Sequence, residues 1–497
     1  MLMQRLFNKE TIGQSAGIVL FFIVLQRIIQ TVSGIVFARL LGPAEYGVYT
    51  LAFFFIPLFV SIARLGIPSC FNRYIPQYEQ KGALRSFLKK TYLLIIAGGV
   101  FTVLACLLNA KALSIMIFGS SIYQKLVIIC ALTVFPYVIY EALVYSFSGM
   151  RVFKLAGALK TSELFVLGLL GSILLIFSPK AESIIFADLI AFTLVVIFFG
   201  LVFRKYLGNL DSQDIKIKES NFYGKIFKFS VFFIIAPVIN TLFNNTDRWM
   251  LSRFTDFSQV GIYSMGLNIA GIIFLFGMIA GNVLSPNMSH IWEQGDKQKV
   301  MYVLNFSLKV NTLFILCGAL AISLFKRQIV SILYGVEYIG CLPIIGAMLI
   351  FWLYHGVYWT VSSYSELIEK TYIPLICGCA GLICNVFFNY LWIPRYGLMG
   401  AAVATNISFG ISIIMMYLWF MKEGFKIKPS AFFVCLLPLL FMFDNLVIAV
   451  LFAILLVVIL RTNFILSGEE KDNLVQLLRK SLSKVKINNN SKNKYYD

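Results

Sequence analysis

Apolar residues follow one another along this chain in runs of about 20, set apart by short connectors that hold most of the charge. A bilayer core needs about 20 helical residues at 1.5 Å each, so each run reads as a membrane-spanning helix. About 14 can be drawn, at 13–37, 47–66, 90–109, 124–148, 161–178, 184–203, 226–246, 259–285, 307–325, 342–363, 371–393, 398–421, 429–443 and 445–461. The pattern predicts an all-α polytopic membrane protein. Polar positions inside the runs are clustered. Gln26, Arg27, Gln30, Ser33 and Gly34 share one side of the first helix at i, i+3/i+4 and i+7 spacing. Asn240, Asn244, Asn245, Asp247 and Arg248 make a second stripe in the seventh.

The two stripes are copies. Sliding the sequence along itself by about 214 positions sets Arg39 on Arg253, Gly47-Val48-Tyr49 on Gly261-Ile262-Tyr263, and Tyr78-Glu79-Gln80 on Trp292-Glu293-Gln294. Gln26, Gln30, Thr31 and Ser33 then fall opposite Asn240, Asn244, Asn245 and Asp247. Such self-similarity marks a duplication. Six spans separate each element from its copy, so both halves have the same orientation, a parallel repeat whose substrate path lies between the halves. The predicted organisation is a six-helix bundle over 1–210, a second over 211–425, an appended helix pair over 426–465, and a cytoplasmic amphipathic helix with a disordered tail over 466–497. Ser467-Gly-Glu-Glu470 reads as the capping box that starts this last helix.

Composition removes the soluble classes. The 497 residues are 59% hydrophobic and 13% charged, with mean hydropathy +0.85, whereas a soluble domain is about 25% charged. The net charge of +19 would suggest nucleic acid if it lay on one face, but it sits in alternate connectors: Arg73, Lys81, Arg85, Lys89 and Lys90, then Lys216, Lys218, Lys225 and Lys228, then the tail. That asymmetry is the positive-inside pattern, which places both termini in the cytoplasm and excludes nucleic acid as a partner. The first apolar run lacks a small-residue cleavage site and reads as a retained span. Nine cysteines, mostly within spans and without a Cys-x-x-Cys pair, give no disulfide framework and no metal site. Gly224-Lys225 has Glu219 where a phosphate-binding loop needs glycine. No hydrolase or metalloprotease signature is present, and the external loops are short. The chain therefore reads as a non-enzyme with no catalytic residues and no cofactor.

Within spans the expected cations are Arg27 and Arg64. An arginine at the bilayer centre costs about 2.5–3.5 kcal/mol, so Arg27 must face protein or water. It either lines a cavity as a bidentate donor to phosphate or fixes helix packing through carbonyls and Glu141. Gln26, Gln30, Asn240 and Asn244 suit sugar hydroxyls or equally bind helix to helix. Arg64 either contributes to a cavity or snorkels to the cytoplasmic surface, and Arg248 either contributes or pairs with Asp247. Glu141, five residues after Pro136 and flanked by Tyr137, Tyr140 and Tyr145, is a proton or sodium site or the static partner of an arginine. Asp247 is a second candidate for ion coupling. Arg39 and Arg253 occupy equivalent helix ends, where capping carbonyls is the expected role. His355 is a lone aromatic-flanked histidine, and Asp188 reads as a solvated helix-end residue.

Three stretches carry a family resemblance: Phe37-Ala-Arg-Leu-Leu-Gly-Pro-x-x-Tyr-Gly-Val-Tyr49; Asp247-Arg-Trp-Met-Leu251 with Val260-Gly-Ile-Tyr263; and Gly397-Leu-Met-Gly-Ala-Ala-Val-Ala-Thr405. Over about residues 10–465 the chain resembles the bacterial polysaccharide-repeat flippases, of O-antigen and capsule type, in the multidrug/oligosaccharidyl-lipid/polysaccharide exporter superfamily. The resemblance implies an inner-membrane protein that moves undecaprenyl-diphosphate-linked oligosaccharides to the external leaflet by alternating access of two six-helix bundles. Other polysaccharide-assembly proteins are implied as partners, beside membrane lipids. It also implies a cationic cavity to which Arg27, Arg64 and Arg248 contribute, with proton or sodium coupling open. Two alternatives stand beside it: a multidrug or lipid II exporter of the same fold, and a membrane-embedded polymerase or ligase, which usually carries a large external loop that is missing here.

Overall fold

A computed structural model describes residues 12–208, 221–274, 288–443, 445–474 and 476. Among them all regular structure is helical. The long helices are α1 (Ile12–Ala63), α2 (Phe71–Gln80), α3 (Leu84–Leu108), α4 (Ala110–Phe118), α5 (Gln124–Gly149), α6 (Phe153–Phe177), α7 (Ala181–Gly208), α8 (Phe222–Ser230), α9 (Phe232–Phe254) and α10 (Phe257–Gly271). They continue as α11 (Lys297–Ile329), α12 (Leu342–Leu367), α13 (Tyr372–Lys422), α14 (Pro429–Leu436) and α15 (Asn445–Arg461). Where they are described, the apolar runs of the sequence fall on these helices, the run at 429–443 continuing past α14 as a 3-10 turn over Leu437–Met442. The protein is an all-α, multi-pass membrane protein, and nine of its described helical stretches are long and apolar enough to cross a bilayer. The end of the run at 259–285, the boundary between the predicted bundles at 210/211 and the tail beyond Leu474 lie largely outside the described residues.

The connectors drawn between the first two spans and between the eleventh and twelfth are not loops. α1 carries two spans joined at Gly42 (φ 69°, ψ 171°), and α13 two joined at Gly397 (φ 52°, ψ −127°). Gly42 adopts a conformation that a Cβ would strain, and Pro43 then restarts the helix with its φ already set. Other helices outrun their apolar cores: α11 begins ten residues before the run at 307–325, because a helix continues into the polar headgroup layer while hydropathy reports only the hydrocarbon.

The chain packs as two compact units. One comprises residues 1–267, 327–344 and 378–408. Its core is aromatic, with Phe71, Tyr78, Phe87 and Phe147 buried and Tyr78 stacked on Phe87 at 4.7 Å. The other comprises 268–326, 345–377 and 409–497 and is built around Leu304, Tyr364, Phe420 and Phe425. In this second unit the α11 lysine Lys309 is 2% exposed and donates to both carboxylate oxygens of Glu470 at 2.6 and 2.5 Å and to the Ile465 carbonyl at 3.1 Å. All three ammonium protons are thereby used. Ser467 and Glu470 exchange the reciprocal bonds of a capping box, Ser467 N to Oε2 at 2.8 Å and Glu470 N to Oγ at 3.3 Å.

Candidate functional site

In the first unit Arg64 pairs with a carboxylate that lines a polar cavity. It closes the last turn of α1, where Leu65 and Gly66 both take positive φ and reverse the chain. Its Nη1 lies 2.5 Å from Glu141 Oε2 on α5. The residue is 6% exposed, so the expectation that it snorkels to the surface is corrected: the turn folds its side chain back toward α5. Glu141 has Arg64 as its arginine partner and lines a cavity of about 350 Å³ with Asn72, Tyr137, Tyr140, Tyr145 and Lys160. Phenols, an amide and paired charges make that wall suited to hydroxyl-rich or anionic groups.

The first-span stripe divides. Gln26 Nε2 donates to Thr161 Oγ1 at 3.3 Å and weakly to the Gly157 carbonyl at 3.5 Å, which ties α1 to α6. Arg27 is half-buried and Gln30 is exposed. In the seventh span Asn240 is exposed, and Asn244 Nδ2 donates to its carbonyl and amide oxygens at 2.8 and 3.0 Å. Arg248 does not pair with Asp247. Its Nε donates to Ser264 at 3.0 Å and its Nη1 to Asn245, because one helical step turns adjacent residues to different faces.

Asp247 belongs to a separate buried node. It is 3% exposed. Asn389 donates to its Oδ1 at 2.6 Å, while Tyr263 and Thr405 donate to its Oδ2 at 2.8 and 2.5 Å. Asn385 links Asn389 and Thr405 at 3.0 and 3.2 Å. The Asn389 carbonyl oxygen is buried with no donor among the described residues. These partners, on α10 and α13, escaped sequence reasoning, although Asn385 and Asn389 stand one turn apart on an apolar helix.

The repeat makes a contact with itself. Ser264 donates to Thr50 at 3.1 Å, and the two are 214 positions apart, the offset that superposes the halves. A Cβ on Gly47 would overlap the Phe257 carbonyl, and one on Gly261 the Pro43 carbonyl, the same contact with the halves exchanged. Arg39 donates to the Leu333 carbonyl at 2.8 Å and to that of Ile332; Arg253 donates to the Ile115 carbonyl at 2.7 Å and to that of Met116. Each arginine caps the helix end of the other repeat.

Three further residues differ from the sequence reading. Asp188 is 2% exposed with no hydrogen-bond partner on either oxygen among the described residues. The true start of α7 is Ala181, whose N–H binds Glu45 at 2.8 Å, which leaves Asp188 about 10 Å inside the helix and not at a solvated end. Glu163, overlooked in the sequence, is also buried, and Lys309 adds a cation within a span. His355 packs against Phe274, Phe351, Trp352 and Phe409 with Nδ1 unpaired among the described residues.

Comparison with known proteins agrees with this architecture. The profile of the family described as polysaccharide biosynthesis protein matches residues 12–292, more than half of the chain, and the MatE profile matches 233–391. The chain is 22% identical to the probable low-salt glycan biosynthesis flippase Agl15 of Haloferax volcanii, over 76% of this chain and 77% of that protein. It is 24% identical to the putative O-antigen transporter of Shigella flexneri, over 42% of this chain and 51% of that one. Among solved structures, the lipid II flippase MurJ in an inward closed conformation superposes with TM-score 0.68 at 17% identity, covering 90% of this chain and 98% of that one. An inward-facing multidrug resistance MATE transporter gives TM-score 0.64 at 14% identity, covering 82% and 98%. The chain therefore belongs to the polysaccharide biosynthesis protein family.

Proposed function

We propose that this protein moves undecaprenyl-diphosphate-linked oligosaccharide repeat units from the cytoplasmic to the external leaflet of a bacterial inner membrane, with both termini in the cytoplasm. The observation that carries the reading is the placement of polar groups within spans. Gln30 and Asn240 are exposed in the middle of otherwise apolar helices, and an amide facing hydrocarbon is costly enough that such faces border water or a polar ligand. Arg27 shares Gln30's side of α1, and Lys160 lines the tyrosine-rich cavity with Glu141, the partner of Arg64. Diphosphate selects the cations and sugar hydroxyls select the amides and phenols. The lipid tail stays in the bilayer while the head crosses.

Ion coupling is assigned to Asp247 in preference to Glu141, whose charge is already compensated by Arg64. The Asp247 carboxylate, the Thr405 hydroxyl and the amide carbonyls of Asn385 and Asn389 are hard oxygen ligands, and the donor-free Asn389 oxygen fits a cation's ligand set. Bound there, sodium or a proton would supply the charge that offsets the buried carboxylate.

The MatE match over 233–391 supports drug or lipid II export as the second reading. Arg27→Ala tests the first: surface polysaccharide disappears while the protein still accumulates in the membrane. Normal polysaccharide with Arg27→Ala removes the cationic-cavity proposal. Proteoliposomes loaded separately with lipid-linked repeat units, lipid II and cationic drugs decide between the substrates.

A further inference from the structure

We propose that a groove between α3, α5 and α7 binds one anionic glycerophospholipid from the surrounding bilayer. The groove has a volume of about 530 Å³, and no residue of the transport site lines it. Its wall is apolar, with Leu88, Ile139, Leu143, Val196 and Phe203, and its cations are Arg85, Lys89 and Arg204.

The helices place these cations as a set. Arg85 and Lys89 are one turn apart on α3, and Arg204 follows Gly200 by one turn on α7. Arg85 Nη2 donates to the Leu207 carbonyl at 2.5 Å, which anchors the guanidinium at the end of α7 and leaves its other N–H groups for a ligand. Lys89 and Arg204 are exposed and join no ion pair among the described residues. A topological address needs only a surplus of positive charge in the connector. It does not need three cations gathered at an apolar trough.

The trough meets lipid. The outer faces of the same two helices expose Leu93, Val100, Ile197 and Leu201 at 63%, 42%, 56% and 62%, which is the surface a helix turns to hydrocarbon. A Cβ built on Gly200 meets no atom within 4 Å, so the trough is open at that residue. A phosphodiester on the cations and an acyl chain past Gly200 together match both chemistries of the groove. A free phosphate would satisfy only the first.

The test uses the full-length protein in phosphatidylcholine nanodiscs doped with phosphatidylglycerol or with undecaprenyl phosphate, and counts lipids retained by native mass spectrometry. One phosphatidylglycerol is retained in preference to phosphatidylcholine. Each of Arg85→Gln, Lys89→Gln and Arg204→Gln weakens retention about fivefold, the share of one surface cation. Gly200→Leu, which fills open space and leaves the cations in place, also abolishes it. Equal retention of phosphatidylcholine, or unchanged phosphatidylglycerol retention in the triple variant and in Gly200→Leu, overturns the proposal. So does displacement of phosphatidylglycerol by undecaprenyl phosphate with the same sensitivity to both variants, which makes the groove a seat for the substrate tail.

Discussion

The contact at Gly47 and Gly261 makes the sharpest prediction. A methyl group on either glycine falls inside a backbone carbonyl of the other repeat, that of Phe257 or of Pro43, and a carbonyl cannot rotate away as a side chain can. The two helices must part by roughly an ångström or more to restore van der Waals separation. Overpacking of this kind costs about 1–3 kcal/mol. A change of that size shifts a two-state equilibrium by about 5- to 150-fold, so Gly47→Ala enriches the form in which these helix ends are apart. In a background with the nine native cysteines replaced, cysteines at Thr50 and Ser264, whose hydroxyls lie 3.1 Å apart, report the contact by oxidative cross-linking. The expected result is rapid cross-linking in the parent and slowing by at least fivefold in Gly47→Ala. Gly261→Ala should act to a similar extent, and the double variant by less than the product, because the first methyl already separates the helices. Unchanged cross-linking in Gly47→Ala refutes the reasoning.

The remaining predictions concern buried charge. Glu141→Gln leaves the Arg64 guanidinium buried without its partner and should cost about 3–5 kcal/mol, read as a lower unfolding temperature in detergent, whereas Arg64→Met with Glu141→Leu recovers most of the loss. Lys309→Met should destabilise by a similar amount through the uncompensated Glu470, and Lys309→Met with Glu470→Met should be milder; equal losses for single and double variants argue against the pair. Asp247→Asn puts an amide N–H against donors from Tyr263, Asn389 or Thr405, costs about 1–3 kcal/mol, and should abolish any dependence of transport on a sodium or proton gradient. Transport that keeps its gradient dependence moves the coupling site elsewhere.

The spans were legible because a hydrophobic run of given length has one outcome in a bilayer, and the arginine caps because Arg39 and Arg253 stood at equivalent helix ends. Helix continuity was not legible: the connector after Phe37 disappears into a bend at Gly42, since hydropathy records polarity and not backbone path. At the site, the stripe containing Asp247 was visible, but its donors Asn389 and Thr405 lie 142 and 158 positions away, and no periodicity says which helices will face it. Asp188 was misplaced because its status depended on where α7 starts, which Glu45 fixes from a distant helix. Arg64 and Glu141 were both candidates, and only the turn at Leu65 and Gly66 decides that they meet.

The symmetry that organises the chain is unequal inside and at the crossing. Thr50 meets its own copy in Ser264, Gly47 meets Gly261, and Arg39 and Arg253 exchange caps, so a pseudo-twofold axis passes through this crossing and opening it breaks both members of each contact together. The buried carboxylate has no such counterpart, since the position equivalent to Asp247 is Ser33. Next to Asp247 in the chain, Arg248 donates to Ser264, the hydroxyl that joins Thr50 at 3.1 Å, so the helix of the proposed ion site is hydrogen-bonded to the first repeat. On the coupling proposed at Asp247, this hydrogen-bonded link joins the ion site's helix to the crossing.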